Sequence, residues 1–145
     1  MTLENTLLAF EQDIRDRGFW DWIKAHTSFM KPLHRYSGML SFESQVLVFH
    51  GQDKKGNGKL NLQIPLNSVT DIHFDFDDVF RRSEDRQLGL AGFKPLRITY
   101  QENNKKRTVY LFASFHRSML TWRLSRNPEL YEHLSEAVGA NSSET

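Results

Sequence analysis

The 145-residue sequence contains no cysteine. Without thiols, a disulfide framework, a thiolate metal site and a cysteine nucleophile are all excluded. Neither charge is in excess, because 19 lysines and arginines stand against 18 acids and give a formal net charge of +1. Nucleic-acid-binding domains usually carry a basic excess, so this balance argues against a nucleic-acid partner.

Long apolar runs are missing as well. Residues 1–17, MTLENTLLAFEQDIRDR, carry acids from Glu4 onward and no apolar stretch long enough for a signal peptide or a membrane span. This pattern predicts a cytosolic protein. The length is that of about one domain, and 39% hydrophobic residues are enough to build its core.

Common catalytic and ligand-binding motifs are also absent. The six histidines show no HExxH or HxH spacing, and no Gly-x-Ser-x-Gly elbow occurs. The segment GQDKKGNGK at 51–59 is not a phosphate loop, because Asn57 stands where lysine is required. It is not an EF-hand either, because lysines follow Asp53 where further acids should bind calcium. We therefore expect a non-enzymatic protein that needs no cofactor.

The N-terminal pattern is helical in spacing. Four apolar residues recur at steps of four, three and four, and they are Leu3, Leu7, Phe10 and Ile14. Such spacing predicts an amphipathic helix, which we place in an N-terminal helical extension comprising residues 1–35.

From Tyr36 onward the apolar period changes to two, which predicts about six antiparallel strands separated by short turns. Gly38 stands where a bulge or a close approach of two backbones is expected. Asn127-Pro128 then predicts a helix N-cap followed by proline at the first helical position. Gly139 is the predicted helix end, with residues 140–145 as a disordered tail.

These elements predict an α+β fold for residues 36–139, a bent antiparallel sheet or small barrel with a C-terminal capping helix. Three segments resemble the GRAM branch of the pleckstrin-homology superfold. They are YSGMLSFESQVLVFHG from Tyr36, LQIPLNSVTDI from Leu62 and RTVYLFASFHRSM from Arg107. Trp122 is similar to a tryptophan that many pleckstrin-homology domains carry in the closing helix.

The resemblance spans roughly residues 36–135. It implies a non-catalytic scaffold that binds phosphoinositides, other anionic lipids or protein segments. It does not carry over a site for the lipid headgroup, because the first hairpin turn, Glu43-Ser44-Gln45, is short and acidic.

Two basic clusters lie at predicted hairpin tips. They comprise Lys54, Lys55 and Lys59 at one tip and Lys105, Lys106 and Arg107 at the other. If both tips project from the same end of the barrel, they form a cationic rim that would bind anionic lipid or an anionic protein partner, at ~1 kcal/mol per basic residue near a membrane surface. The alternative without a binding role is that the lysines at the tips keep the protein soluble and protect a strand edge from pairing with other chains. The alternative function is an adaptor that binds a peptide or protein through a strand edge or a helix.

The most heavily charged stretch is DIHFDFDDVFRRSEDR at 71–86. If its phenylalanines face the core, the residues between them face outward and lie ~6.6–6.8 Å apart at each step of two. These outward residues are Asp71, His73, Asp75 and Asp77. Neighbouring members could share a metal ion, but the nearby basic residues favour a salt-bridged surface over a small metal-dependent enzyme. Those bases are Arg81, Arg82, Arg86, Lys94 and Arg97.

Overall fold

The computed structural model describes residues 1–16, 34–54, 56–80, 94–115 and 125–143, with backbone only from residue 140 onward. These residues form seven strands and two helices. In chain order they are β1 (Thr2–Phe10), α1 (Glu11–Arg15), β2 (Tyr36–Glu43), β3 (Val46–Asp53), β4 (Lys59–Pro65), a 3₁₀ turn (Leu66–Ser68), β5 (Val69–Phe74), β6 (Leu96–Glu102), β7 (Lys105–Phe112) and α2 (Asn127–Ser143). Four features discussed above lie outside the described residues: Lys55, Trp122, the three arginines between 81 and 86, and most of the segment 17–35.

The strands form one antiparallel sheet in the order β4-β3-β2-β1-β7-β6-β5. The prediction of six strands from Tyr36 onward is confirmed by β2 to β7. Two tight turns have the geometry that such hairpins need, because both central residues have positive φ. They are Ser44-Gln45 between β2 and β3, and Asn103-Asn104 between β6 and β7. The fold is therefore α+β, dominated by its sheet.

The helix predicted across Leu3 to Ile14 is wrong, because residues 2–10 form the central strand β1. This strand is buried on both faces: Leu8 packs in one core cluster, while Leu7 and Ala9 pack in the other. A bulge before Thr6, next to Asn5 with φ 53°, shifts the strand phase. The apolar spacing that predicts a helix arises from this irregular strand, and only α1 is helical.

The two core clusters lie on opposite faces of the sheet. The larger cluster joins β3 and β4 at one side of the sheet to β6 at the other, so the sheet curls around it. The smaller cluster lies under α1 and the segment after β5, where Phe80 packs against Tyr110 and Phe112. Curling around a shared core agrees with the bent sheet expected from the sequence.

A glycine pair permits close contact between β2 and β3. Gly38 faces Gly51 across the two strands, and a Cβ added to Gly38 would lie 2.0 Å from the carbonyl oxygen of His50. A Cβ on Gly51 would lie 2.5 Å from the ring of Phe49. The close backbone approach expected at Gly38 is confirmed.

The C-terminal helix closes one end of the sheet. Leu130 and Leu134 of α2 are buried in the larger cluster. The rings of Tyr131 and Phe74, which ends β5, have centroids 5.6 Å apart. The helix begins at Asn127, one residue before the proline predicted as its first position. It ends at Ser143 rather than at Gly139, so residues 140–143 are helical and the predicted disordered tail is wrong there. No helix in the described part of the chain is long and apolar enough to cross a membrane.

Asn127 does not use its side chain as a helix cap. Its amide oxygen accepts a hydrogen bond from the backbone of Ala113, and its amide nitrogen donates to the carbonyls of Lys94 and Leu111. The residue is fully buried. It therefore anchors the start of α2 to the ends of β6 and β7, which sequence pattern alone did not indicate.

Candidate functional site

Both basic hairpin tips lie at the same end of the sheet. From β3 through β2, β1 and β7 to β6, each strand is antiparallel to the next. Four such reversals make β3 and β6 run in the same direction. The tip after β3 and the tip after β6 therefore project from one edge. At about 4.8 Å per strand, the two hairpins are roughly 19 Å apart along the sheet.

Several cations at this end form no ion pair within the part of the chain that the structure describes. Lys59, Lys105 and Lys106 are exposed, and their side chains form no ion pair in the described parts of the chain. Arg107 is only loosely paired, with 3.8 Å between its guanidinium and the carboxylate of Glu102. We define Lys54, Lys59, Lys105, Lys106 and Arg107 as the cationic rim.

Aromatic rings and arginines occupy the space between the two tips. The guanidinium of Arg107 lies 5.1 Å from the ring centroid of Phe10, and that of Arg35 lies 5.4 Å from the ring of Tyr36. The two rings meet edge to face at 6.1 Å. Such cation–π contacts contribute ~0.5–1 kcal/mol at exposed sites, and they connect the two halves of the cationic rim.

Arg35 also ties α1 to the β3–β4 hairpin. Its guanidinium donates to the carboxylate of Asp13 in α1 at 2.8 Å and to that of Asp53 at the end of β3 at 3.0 Å. These hydrogen bonds, first that from Arg35 to Asp53, hold the pKa of Arg35 above its ordinary value. Sequence reasoning missed Arg35 and Phe10, because both fell within the predicted helical extension.

The opposite end of the molecule is acidic. Helix α2 covers that end, and between residues 127 and 139 it carries no lysine or arginine. Its acids are Glu129, Glu132 and Glu136, of which Glu129 pairs with Arg126 at 2.6 Å. Glu43, in the turn region after β2, is exposed nearby. The outer surface of α2 is therefore negative, whereas the rim end carries acids of its own, such as Asp13, Asp53 and Glu102, beside its exposed lysines.

A second feature is a cleft on the outer face of β5, β6 and β7. It has a volume of about 530 Å³ and is walled by α1 and by the segment that follows β5. This volume falls within the usual range for small-molecule sites. We name it the outer cleft.

Asp77 organises one end of the outer cleft. Its Oδ2 accepts hydrogen bonds from the hydroxyl of Tyr110 at 2.7 Å and from the guanidinium of Arg97 at 3.0 Å. Its Oδ1 accepts from the backbone amides of Val79 and Phe80. Burial acts to raise the pKa of Asp77, but these hydrogen bonds outweigh it and hold the pKa below its ordinary value.

The pKa of Tyr110 is shifted in the opposite direction to that of Asp77. Burial, together with the hydrogen bond to Asp77, raises the pKa of Tyr110 well above its ordinary value. The phenol therefore stays protonated and acts as a donor, not as a base.

The structure corrects one part of the expectation for residues 71–77. Asp77 does not continue the exposed face of β5, because that strand ends at Phe74 and the Asp77 side chain is only 11% exposed. The predicted charge pairing is confirmed elsewhere: Arg97 binds Asp71 at 2.8 Å, and Lys94 lies 3.8 Å from Asp75. No group of three or more histidine, aspartate or glutamate side chains in the described residues is arranged to hold a metal ion.

The interior of the curled sheet is filled. The gap between apolar side chains such as Leu8, Phe49 and Ile64 has no room for a water molecule. The candidate sites therefore lie on the outside of the sheet. They are the cationic rim, whose five residues were all among the predicted site residues, and the outer cleft, which was not predicted. Comparison with known proteins identifies no matching family model, curated protein or solved structure.

Proposed function

We propose that this chain is a non-catalytic binding module, similar to GRAM domains of the pleckstrin-homology superfold, that attaches to anionic membrane surfaces through its cationic rim. The observation that carries the proposal is the placement of both basic tips at one end of the sheet, with α2 and its acids at the other. Six consecutive antiparallel strands followed by a C-terminal helix also support the family resemblance.

The rim is suited to a surface more than to one small ligand. Its lysines lie on two hairpins roughly 19 Å apart along the sheet, a span that covers several lipid headgroups. Each basic residue near an anionic membrane contributes ~1 kcal/mol, and this contribution falls off within a Debye length of ~8–10 Å. The acidic helix end would be repelled by the same membrane, so the molecule would attach in one orientation.

The test is vesicle co-sedimentation with a triple variant, Lys59→Gln, Lys105→Gln and Lys106→Gln. Loss of three contributions of ~1 kcal/mol predicts binding that is roughly a hundredfold weaker to vesicles containing phosphatidylserine. Binding of the unaltered protein should also weaken as salt increases, and neutral vesicles should not bind it.

A matched control separates local charge from net charge. Replacing Glu43, Glu132 and Glu136 by glutamine removes three charges of the opposite sign at the helix end. Combined with the triple lysine variant, it restores the net charge of +1, and we expect vesicle binding to remain lost. Recovery of binding in the combined variant, or undiminished binding in the lysine variant, would contradict the proposal.

The second candidate is an adaptor that adds a partner strand to β4. The sheet order makes β4 one of its two terminal strands, and a terminal strand presents backbone groups to an extended peptide. Indifference to all vesicles, together with loss of partner binding on Asn61→Pro in β4, would favour this adaptor over the membrane module.

A further inference from the structure

Two charged side chains that line the outer cleft form no ion pair and no side-chain hydrogen bond with the rest of the described chain. Asp78 lies in the segment after β5, and Lys106 lies at the start of β7. Neither takes part in an ion pair or a side-chain hydrogen bond within the described residues. Charges of opposite sign that remain unpaired in one cleft are available to a ligand.

The other charged groups of the cleft satisfy one another. Arg97 is held between Asp71 and Asp77, and on the α1 wall Arg15 pairs with Glu11 at 3.1 Å. With Asp78 added, the end of the cleft around Arg97 has three carboxylates against one guanidinium. That end is therefore negative, whereas Lys106 makes the other end positive.

The floor between the two ends is uncharged. It is formed by Thr99 and Thr108, whose hydroxyl oxygens are 3.1 Å apart. Tyr110, at the negative end, and Lys106 are four residues apart on β7 and point to the same face, which corresponds to about 13 Å. A charge-assisted hydrogen bond at each end takes about 3 Å, so a backbone spacing of this size leaves room for a short ligand that carries one charge at each end.

We propose that the outer cleft binds a small zwitterion whose guanidinium or primary amine lies near Asp78 and whose carboxylate lies near Lys106. Free arginine or lysine has this chemistry, and so does a basic residue at the C-terminus of a peptide. The hydroxyl groups of the floor would contact the uncharged part of the ligand between its two charged ends. The proposal does not depend on membrane binding.

The experiment is a titration of the full chain, followed by amide chemical shifts in NMR, with free L-arginine and with the dipeptide alanyl-arginine. We expect saturable shifts at Asp78, Thr99 and Thr108. Agmatine, which lacks the carboxylate, should bind at least about tenfold more weakly, since a hydrogen bond between charged groups is lost. Tighter binding of arginine indicates a free amino acid as the ligand, and tighter binding of the dipeptide indicates a peptide terminus.

Single variants test the two charges. Asp78→Asn and Lys106→Gln should each weaken arginine binding about tenfold or more, whereas the exposed controls Glu132→Gln and Lys59→Gln should leave it unchanged. The proposal is overturned by the absence of saturable shifts, by equal affinity for agmatine, or by an Asp78→Asn variant that binds like its control. Asp78→Asn should leave vesicle binding intact and Lys59→Gln should weaken it, so failure of the cleft and failure of the rim can be distinguished.

Discussion

The side chain of Asn127 should be the most sensitive polar position in the described part of the fold. It is fully buried, and its single amide group satisfies one backbone N–H and two backbone carbonyls from two other segments of the chain. Replacement by alanine removes all three hydrogen bonds at once. The segments involved lead into β6, end β7 and begin α2, so the loss loosens the docking of the helix.

The loss of stability in Asn127→Ala can be worked out from the backbone groups that would remain buried without a partner. Each lost hydrogen bond costs ~0.5–1.5 kcal/mol, and a buried group left without a partner costs ~1–3 kcal/mol. Local relaxation that admits water to some of these groups reduces the sum. We expect Asn127→Ala to lower the free energy of unfolding by about 3 kcal/mol, which corresponds to a melting temperature lower by roughly 10 °C for a chain of this size.

The assay is thermal and urea unfolding followed by circular dichroism, with Asn61→Ala as the matched control. Asn61 lies on β4, is exposed, and forms its side-chain hydrogen bond with the exposed His50. Its replacement should cost less than about 0.5 kcal/mol. If the two variants differ by less than about 1 kcal/mol, Asn127 is not an anchor between helix and sheet, and the reasoning is refuted.

Two further predictions concern the glycine pair and the outer cleft. In urea unfolding, Gly38→Ala should lower the free energy of unfolding by about 2 kcal/mol or more, because its Cβ would lie 2.0 Å from the carbonyl oxygen of His50. The control Gly58→Ala, whose Cβ would have no atom within 4 Å, should leave stability unchanged. Equal losses of stability in the two variants would contradict the close approach of the strands. Because the folded-state pKa of Asp77 is depressed, its contribution to stability is present above its unfolded value of ~3.9 and is lost as the pH falls through the folded value. Asp77→Asn should therefore make unfolding in urea less dependent on pH below ~4, and an unchanged acid limb would show that the network around Asp77 does not contribute.

The sequence was informative where one face of a strand is buried and the other is exposed. In β4 the pattern is of this kind: Leu62 and Ile64 are buried, while Asn61 and Gln63 are exposed. Such alternation specifies the register and the face of each strand. Strands β2 to β4 could be predicted for this reason. Strands β6 and β7 have consecutive buried residues and were predicted instead from the apolar segments on either side of the hairpin turn at Asn103-Asn104.

The same reasoning failed at β1 because that strand has no exposed face to provide contrast. Thr6, Leu7, Leu8 and Ala9 are all buried in succession, and the bulge before Thr6 removes the remaining periodicity. Leu3, Leu7 and Phe10 then share the spacing of a helix without sharing one face of the strand. A central strand buried on both sides is not distinguished from a short helix by periodicity alone.

The outer cleft was missed for a different reason. Its organising contacts join residues far apart in sequence, since Asp77 meets Arg97 twenty positions later and Tyr110 thirty-three positions later. Alternation predicted where Arg97 and Asp71 face, but it could not predict that the chain turns after Phe74 and brings Asp77 back over the sheet. That turn depends on the packing of Phe80 between Tyr110 and Phe112, which is a tertiary contact.

The clustering of exposed lysines at one end of the molecule is not explained by stability. At the helix end, Leu130 and Leu134 close the core, and the glutamates on the outside of α2 are a consequence of its amphipathic pattern. At the other end the exposed lysines do not pack in the core, and exposed ion pairs contribute only ~0–1 kcal/mol even where they form. Lys59, Lys105 and Lys106 do not form them in the described residues. Their clustering at the same end as the loosely paired Arg107 costs some electrostatic repulsion without a compensating ion pair among the described residues. Under the proposed function an anionic membrane surface would provide such a contact, and the variant with restored net charge tests whether the position of these cations, rather than their number, determines binding.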